Sequence, residues 1–207
     1  MEKSGWSSRG YLPHFNDSIA VQHVCFRTND SVAVSYKKYL KEEISSGRLN
    51  SSEISKRIHQ HLDESTTSKL LTDKNAEIVE NALLYHENQR YDLYAWAIMP
   101  NHVHVLLRVY PEYAIGKIIS SWKSFSGRII SKMNPDYQFI QNKVWAREYW
   151  DRFMRDPIHF INTINYIHHN PVKSGLVLSS ELWRWSSAFE DRYKERIKRI
   201  LSDHSDE

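Results

Sequence analysis

Apolar and polar positions follow a few clear registers along the chain. Residues 20–28, AVQHVCFRT, are dense in β-branched and aromatic side chains and predict a strand, stopped by Asn29-Asp30-Ser31. From Val32 the apolar residues fall at 32, 36, 39, 40 and 44, the spacing of a helix, with Gly47 as its terminator. Ile54, Ile58 and Leu62 suggest a short second helix. Ala76, Val79, Ala82 and Leu83 predict a third, opened by Thr72 or Asp73. The runs 91–99 (YDLYAWAIM) and 102–109 (HVHVLLRV) read as two strands joined by Pro100-Asn101 in an antiparallel hairpin. Ile115, Ile118, Ile119, Trp122, Phe125, Ile129 and Ile130 mark a long amphipathic helix that Asn134-Pro135-Asp136 ends. Residues 143–154, KVWAREYWDRFM, lean to strand through their aromatic content. Asp156-Pro157 then opens a last helix, which runs to Asn170 with Pro171 as its stop.

The order is therefore β, helices, β, β, helix, β, helix. Its first six parts form the βαββαβ pattern of a ferredoxin-like antiparallel sheet, an α+β fold whose crossover helices cover one face and leave the other for a site. No repeat or low-complexity linker interrupts it, so residues 1–207 are expected to form one domain. The core should span about 9–189, with 190–207 a charged helical tail that frays.

Composition changes this picture little. A charged fraction of 26% and an apolar fraction of 41% describe a folded globule and exclude a disordered chain. The single cysteine, Cys25, makes no internal disulfide, and the opening MEKSGWSSRG lacks the apolar core of a secretory signal. The longest apolar run, LYAWAIM at 93–99, falls far short of the roughly 18 residues of a membrane span, so a cytoplasmic protein without a membrane partner is expected. Charge is more informative in its distribution than in its sum of +3. Between Lys117 and Arg155 stand eight Lys or Arg against three acids.

Candidate chemistry begins at His102-Val103-His104. Residues two apart on a strand share a face, so both imidazoles project together while Val103 and Val105 point to the helices. Two neutral imidazoles at that spacing can share a divalent ion and leave positions open for substrate oxygens. The plainer reading is two surface histidines among eleven. Tyr166 and Asn170 lie one turn apart on the last helix, where an amide oxygen can serve as third ligand and a phenol can reach a phosphorus atom. Taken singly, Tyr166 reads as a packing tyrosine and Asn170 as a helix end. His168 and His169, close to Tyr166, read as packing or surface histidines.

Three motifs in order, AWAIMPNHVHVLL (95–107), VWAREYWDRFMRD (144–156) and NYIHHNPVKSGLV (165–177), resemble the REP-associated tyrosine transposases, a branch of the single-tyrosine HUH transposases. RGYLPHF (9–15) and WRWSSAF (183–189) resemble that group too. The resemblance implies that His102 and His104 are the HUH metal ligands, that Asn170 completes the site, and that Tyr166 is the nucleophile. It implies attack on a phosphodiester of single-stranded or hairpin DNA, with Mg²⁺ or Mn²⁺, giving a 5′-phosphotyrosine link and a free 3′-hydroxyl without ATP. Arg147, Arg152 and Lys173 lie inside the matching motifs and are the DNA-binding candidates; Lys123 and Arg128 are further phosphate partners. Trp145, Tyr149 and Trp150 offer stacking surfaces, while Trp122 sits on an apolar stripe and belongs to the core. No GTxY-type motif, which some members use in hairpin recognition, stands near the N-terminus, so the DNA target stays open. Residues 30–90 exceed what the simplest HUH fold needs, and serve target recognition or stability. The chain acts as a monomer or as a homodimer that exchanges the tyrosine helix. The alternatives are a non-catalytic single-strand-binding module and a metal-dependent nuclease in which water attacks.

Overall fold

The computed structural model describes residues 5–8, 13–16, 20–47, 53, 57, 58, 60–62, 68–191, 194 and 198. Residues 9–12, Ile54 and nearly all of the charged tail lie outside the described residues. The elements are β1 (Gly5–Ser8), β2 (Pro13–Asn16), β3 (Val21–Thr28), α1 (Val34–Ser45), α2 (Asp73–Leu84), β4 (Tyr91–Ile98), β5 (His102–Val109), α3 (Ile115–Met133), β6 (Trp145–Phe153) and α4 (Pro157–Lys173). Strands β1 and β2 pair as a separate antiparallel hairpin, an element the sequence reading did not anticipate.

Strands β3 to β6 form one antiparallel sheet in the order β4-β5-β3-β6. With β3 as first strand of the βαββαβ unit, this is the order a ferredoxin-like sheet requires. Alternation sorts its two faces. Val24, Phe26, Val103, Val105 and Leu107 turn to one side and pack with Val79 and Leu83 of α2 and with Ile115, Ile119 and Trp122 of α3. Each such fully buried aliphatic side chain contributes roughly 1.5–3 kcal/mol. A one-residue slip of β5 would exchange three of them for histidine, histidine and leucine, so hydrophobic burial fixes the register that presents the histidines.

The opposite face is covered by α4. Ile164 and Ile167 of this helix pack on Tyr94, Ala95, Ala97 and Leu106. Strand β4 changes phase there: the register against β5 shifts between Leu93 and Ala95, and Tyr94 and Ala95 both meet α4. A bulge is the device by which two consecutive residues face the same side. The small Ala95 and Ala97 let the helix sit close to the sheet.

Helix α4 opens as the sequence suggests: Asp156 is the N-cap, accepting from the His159 amide at 2.7 Å, with Pro157 in the first turn. Its far end is a correction. Pro171 does not stop the helix, which continues to Lys173. A proline one turn from the end removes a single bond to the carbonyl four residues back, and the ladder resumes with the Ser174 amide donating to Asn170 O at 3.0 Å.

Elsewhere Cys25, Val32, Leu40, Ile58 and Leu62 form a second core under α1, with Tyr36 and Trp150 against it. The long 30–90 connection therefore closes part of the site-facing side of the sheet. The WRWSSAF segment straps the outer strand β4: Ile98 N donates to Trp185 O at 2.8 Å and Ser187 N to Trp96 O at 3.0 Å. No helix among the described residues is long and apolar enough to cross a membrane.

Candidate active site

The register of β3 against β5 places Cys25 opposite His104 and Arg27 opposite His102. Both histidines of β5 are buried, at 1% and 0% exposure, on the face that α4 covers. Their Nε2 atoms lie 3.0 Å apart. The hydrogen bonds behind them favour one tautomer for each ring. Asn101 donates its Nδ2 to the Leu62 carbonyl at 3.2 Å, which leaves Oδ1 to accept, and His102 Nδ1 donates to it at 2.6 Å. His102 therefore carries its proton on Nδ1 and has a bare Nε2.

His104 is held from behind in a similar way, by a third histidine. His23 Nε2 lies 3.1 Å from His104 Nδ1, and His23 is itself buried. With the proton of a neutral His104 on Nδ1, shared with His23, Nε2 is an acceptor on the side of His102 and Asn170. Sequence reasoning passed over His23 and used Asn101 only as a turn residue. The signal for His23 was present in AVQHVCFRT, where alternation puts His23, Cys25 and Arg27 on one side, but its meaning depends on which strand lies alongside, 81 positions away.

Helix α4 brings the remaining candidates to this point. Asn170 is 1% exposed, its Nδ2 lies 2.9 Å from His104 Nε2, and its Oδ1 is buried without a hydrogen-bond partner. Amide oxygen and nitrogen exchange by a half-turn about the last side-chain bond, and that half-turn aims the orphaned oxygen at the histidine pair. One turn earlier, the half-buried Tyr166 presents its ring edge-on, 5.5 Å from His104 and 5.9 Å from His23 between ring centres. His102, His104, Asn170 and Tyr166 thus converge.

Two imidazole nitrogens and one amide oxygen are a donor set suited to a divalent cation. The 3.0 Å between the Nε2 atoms is the separation of two adjacent ligands at roughly 2.1 Å from one octahedral ion. Buried acceptors facing one another with an unsatisfied amide oxygen alongside cost stability unless a cation or proton sits among them. The residues fit a divalent metal.

The three basic candidates do not form one cluster. Arg152 is exposed on β6 opposite His23, on the site face, and burial, with Arg152 and Arg155 adding to it, holds His159 below its usual range. Lys173 is exposed in the last turn of α4, three residues after Asn170. Arg147 lies on the other side of β6, where Lys123 Nζ donates to its carbonyl at 2.9 Å. Of the aromatics, Trp122 and Trp145 are core residues bonded to Tyr91 Oη and Ser126 Oγ, whereas Trp150 is half-buried with its ring centre 5.1 Å from that of His23. His168 is a packing residue: its Nε2 lies 2.8 Å from Ser187 Oγ, and burial pushes its pKa down to about 4. His169 is exposed.

Comparison with known proteins identifies the family. The family model described as "Transposase IS200 like" matches residues 55–170, a span that holds both strand histidines, Tyr166 and Asn170. A REP-associated tyrosine transposase, so named, of Haemophilus influenzae is 31% identical over 134 residues, covering 60% of this chain and 74% of the relative. The REP-associated tyrosine transposase of Escherichia coli K12 is 24% identical over 124 residues, covering 60% and 70%. Among solved structures, a REP-associated tyrosine transposase bound to a REP hairpin superposes with a TM-score of 0.56 at 15% identity, over 87% of this chain and 82% of that one.

Proposed function

The chain belongs to the IS200-like transposases, a family of enzymes, and from that premise we propose that it cleaves and rejoins single-stranded DNA beside a hairpin, with Tyr166 as nucleophile. The observation that carries the reading is the convergence of Tyr166 and Asn170, one turn apart on α4, on the buried His102–His104 pair of β5.

In this reading the Tyr166 Oη attacks the phosphorus of a phosphodiester and loses its phenolic proton. The new O–P bond joins the 5′-phosphate to the protein, and the breaking P–O3′ bond leaves a 3′-oxygen that takes up a proton to become a hydroxyl. Bond energy is conserved in the phosphotyrosine, so the 3′-hydroxyl of the same or another strand can reverse the step. His102, His104 and Asn170 would hold a divalent metal, Mg²⁺ or Mn²⁺, which supplies charge neutralisation and orientation of the phosphate when bound. His23 and Asn101 keep the two imidazoles in the tautomers that such a role demands. An unperturbed phenol is a weak nucleophile at pH 7, so the placement of Tyr166 against the scissile bond supplies much of the rate. Arg152 and Lys173, exposed on either side of the site, supply phosphate contacts.

The test is a denaturing gel of the protein incubated with Mn²⁺ and a 3′-end-labelled hairpin oligonucleotide, beside Tyr166→Phe. A labelled band at the mass of protein plus DNA, absent from the variant, supports the reading. Cut DNA without that band would assign the attack to water, and binding without cutting would reduce the site to a recognition surface.

A further inference from the structure

A second basic feature lies away from the histidines. Between α3 and the 142–149 stretch runs a groove of about 840 Å³. Lys117, Lys123 and Arg128 line it from the helix and Lys143 and Arg147 from the strand side, against one acid, Glu148. Three serines of α3 add hydroxyls between the cations. At Gly127 a Cβ would come within 3.1 Å of the Trp145 ring, so α3 packs closer to β6 there than a larger residue permits. Lys123 is drawn inward, with burial pushing its pKa down to about 8.

The arrangement of these charges selects among ligands. From Lys117 to Arg128 is three turns of helix, about 16 Å, so the cations are strung along a channel rather than converging on one point. A row of that kind neutralises successive phosphates of a strand, not a lone anion. The groove also lies next to the site by way of β6, the last strand of the sheet. Trp150 and Arg152 pair with Cys25 and His23 on the site face, whereas Tyr149, opposite Phe26, faces the α3 side and lines the groove. Arg147 and Arg152 are five residues apart, about 17 Å along the strand. A DNA strand leaving the site past Arg152 reaches the groove around this strand, against which β2 also packs.

We propose that the groove between α3 and β6 is a second DNA site, which grips through its phosphates the single strand continuing from the bond presented to Tyr166. This rests on the cleavage reading above but is tested apart from it. Binding is followed by fluorescence anisotropy in EDTA, where no cutting intervenes, with a hairpin oligonucleotide and the same hairpin carrying a short single-stranded extension. Arg128→Glu/Lys143→Glu, and the neutral pair Arg128→Gln/Lys143→Gln, should weaken binding of the extended hairpin about tenfold or more and leave the bare hairpin unchanged. The slope of log affinity on log salt should become shallower by about 1.4, the share of two single-strand phosphate contacts. Lys132→Glu, exposed on the same helix outside the groove, should behave as wild type. Undiminished binding of the extension by both pairs, an equal loss in Lys132→Glu, or competition by a blunt duplex as effective as by single strand would overturn the proposal. The Mn²⁺ gel separates the two readings. A wild-type adduct with unaffected groove variants removes the groove alone. No adduct with the groove effect intact removes Tyr166 as nucleophile and keeps the groove.

Discussion

At the scale of single residues, the site is a set of buried polar groups in contact with one another. His104 meets His102, His23 and Asn170, and His102 also meets Asn101. Removing one member should therefore be felt by the rest. His102→Ala is expected to abolish Mn²⁺ binding in calorimetric titration along with DNA cleavage; Mn²⁺ affinity equal to wild type would refute the ligand assignment. His23→Ala keeps every proposed ligand but frees the His104 ring, and should weaken Mn²⁺ about 10- to 100-fold, the usual cost of losing a partner that orients a ligand. The pair in His102-Val103-His104 was legible from alternation alone, because both residues belong to one strand. Asn170 and Tyr166 were legible as one helix face. His23 was not, because a lone histidine in a strand acquires a role only through long-range pairing.

At the scale of elements, the strands and helices that flank the site followed hydrophobic period and punctuation closely, and the departures have local causes. The bulge in β4 breaks the alternation of YDLYAWAI, so a strict two-residue period assigns Tyr94 and Ala95 to opposite faces when both meet α4. The overrun of α4 past Pro171 shows a proline tolerated where few carbonyls remain to be bonded. The β1–β2 hairpin was missed because neither four-residue strand is long enough to display a period. Helix α4 carries both Tyr166 and Asn170, and its start is fixed by the Asp156 cap. Asp156→Ala should destabilise the protein by about 1 kcal/mol and lower the melting temperature by about 2–4 °C. A thermal melt unchanged by the substitution would show that the cap does not set where the helix begins.

At the scale of the whole molecule, protonation offers a test of how the strap after α4 is seated. His168 lies against Ser187 with its pKa lowered from 6.5 to about 4 by burial. The folded chain thus refuses a proton that the unfolded chain takes up below about pH 6.5. This group's contribution to stability is complete above that pH and is lost as pH falls from 6.5 towards 4. The loss is on the order of 2–3 kcal/mol. His168→Gln keeps a polar partner for Ser187 without a titrating group, so its melting temperature should fall less than that of wild type between pH 7.5 and 5. Parallel pH curves for the two proteins would show that His168 is not shielded.

Tyr166 and Asn170 share one rigid helix while the two histidines belong to a strand of the sheet. Under the proposed roles, any movement that lifts the helix withdraws attacking group and third ligand together. The protein then has no half-armed state in which an ion sits fully caged while water has free access to the phosphate. Under that reading, attack and metal retention are governed by a single latch.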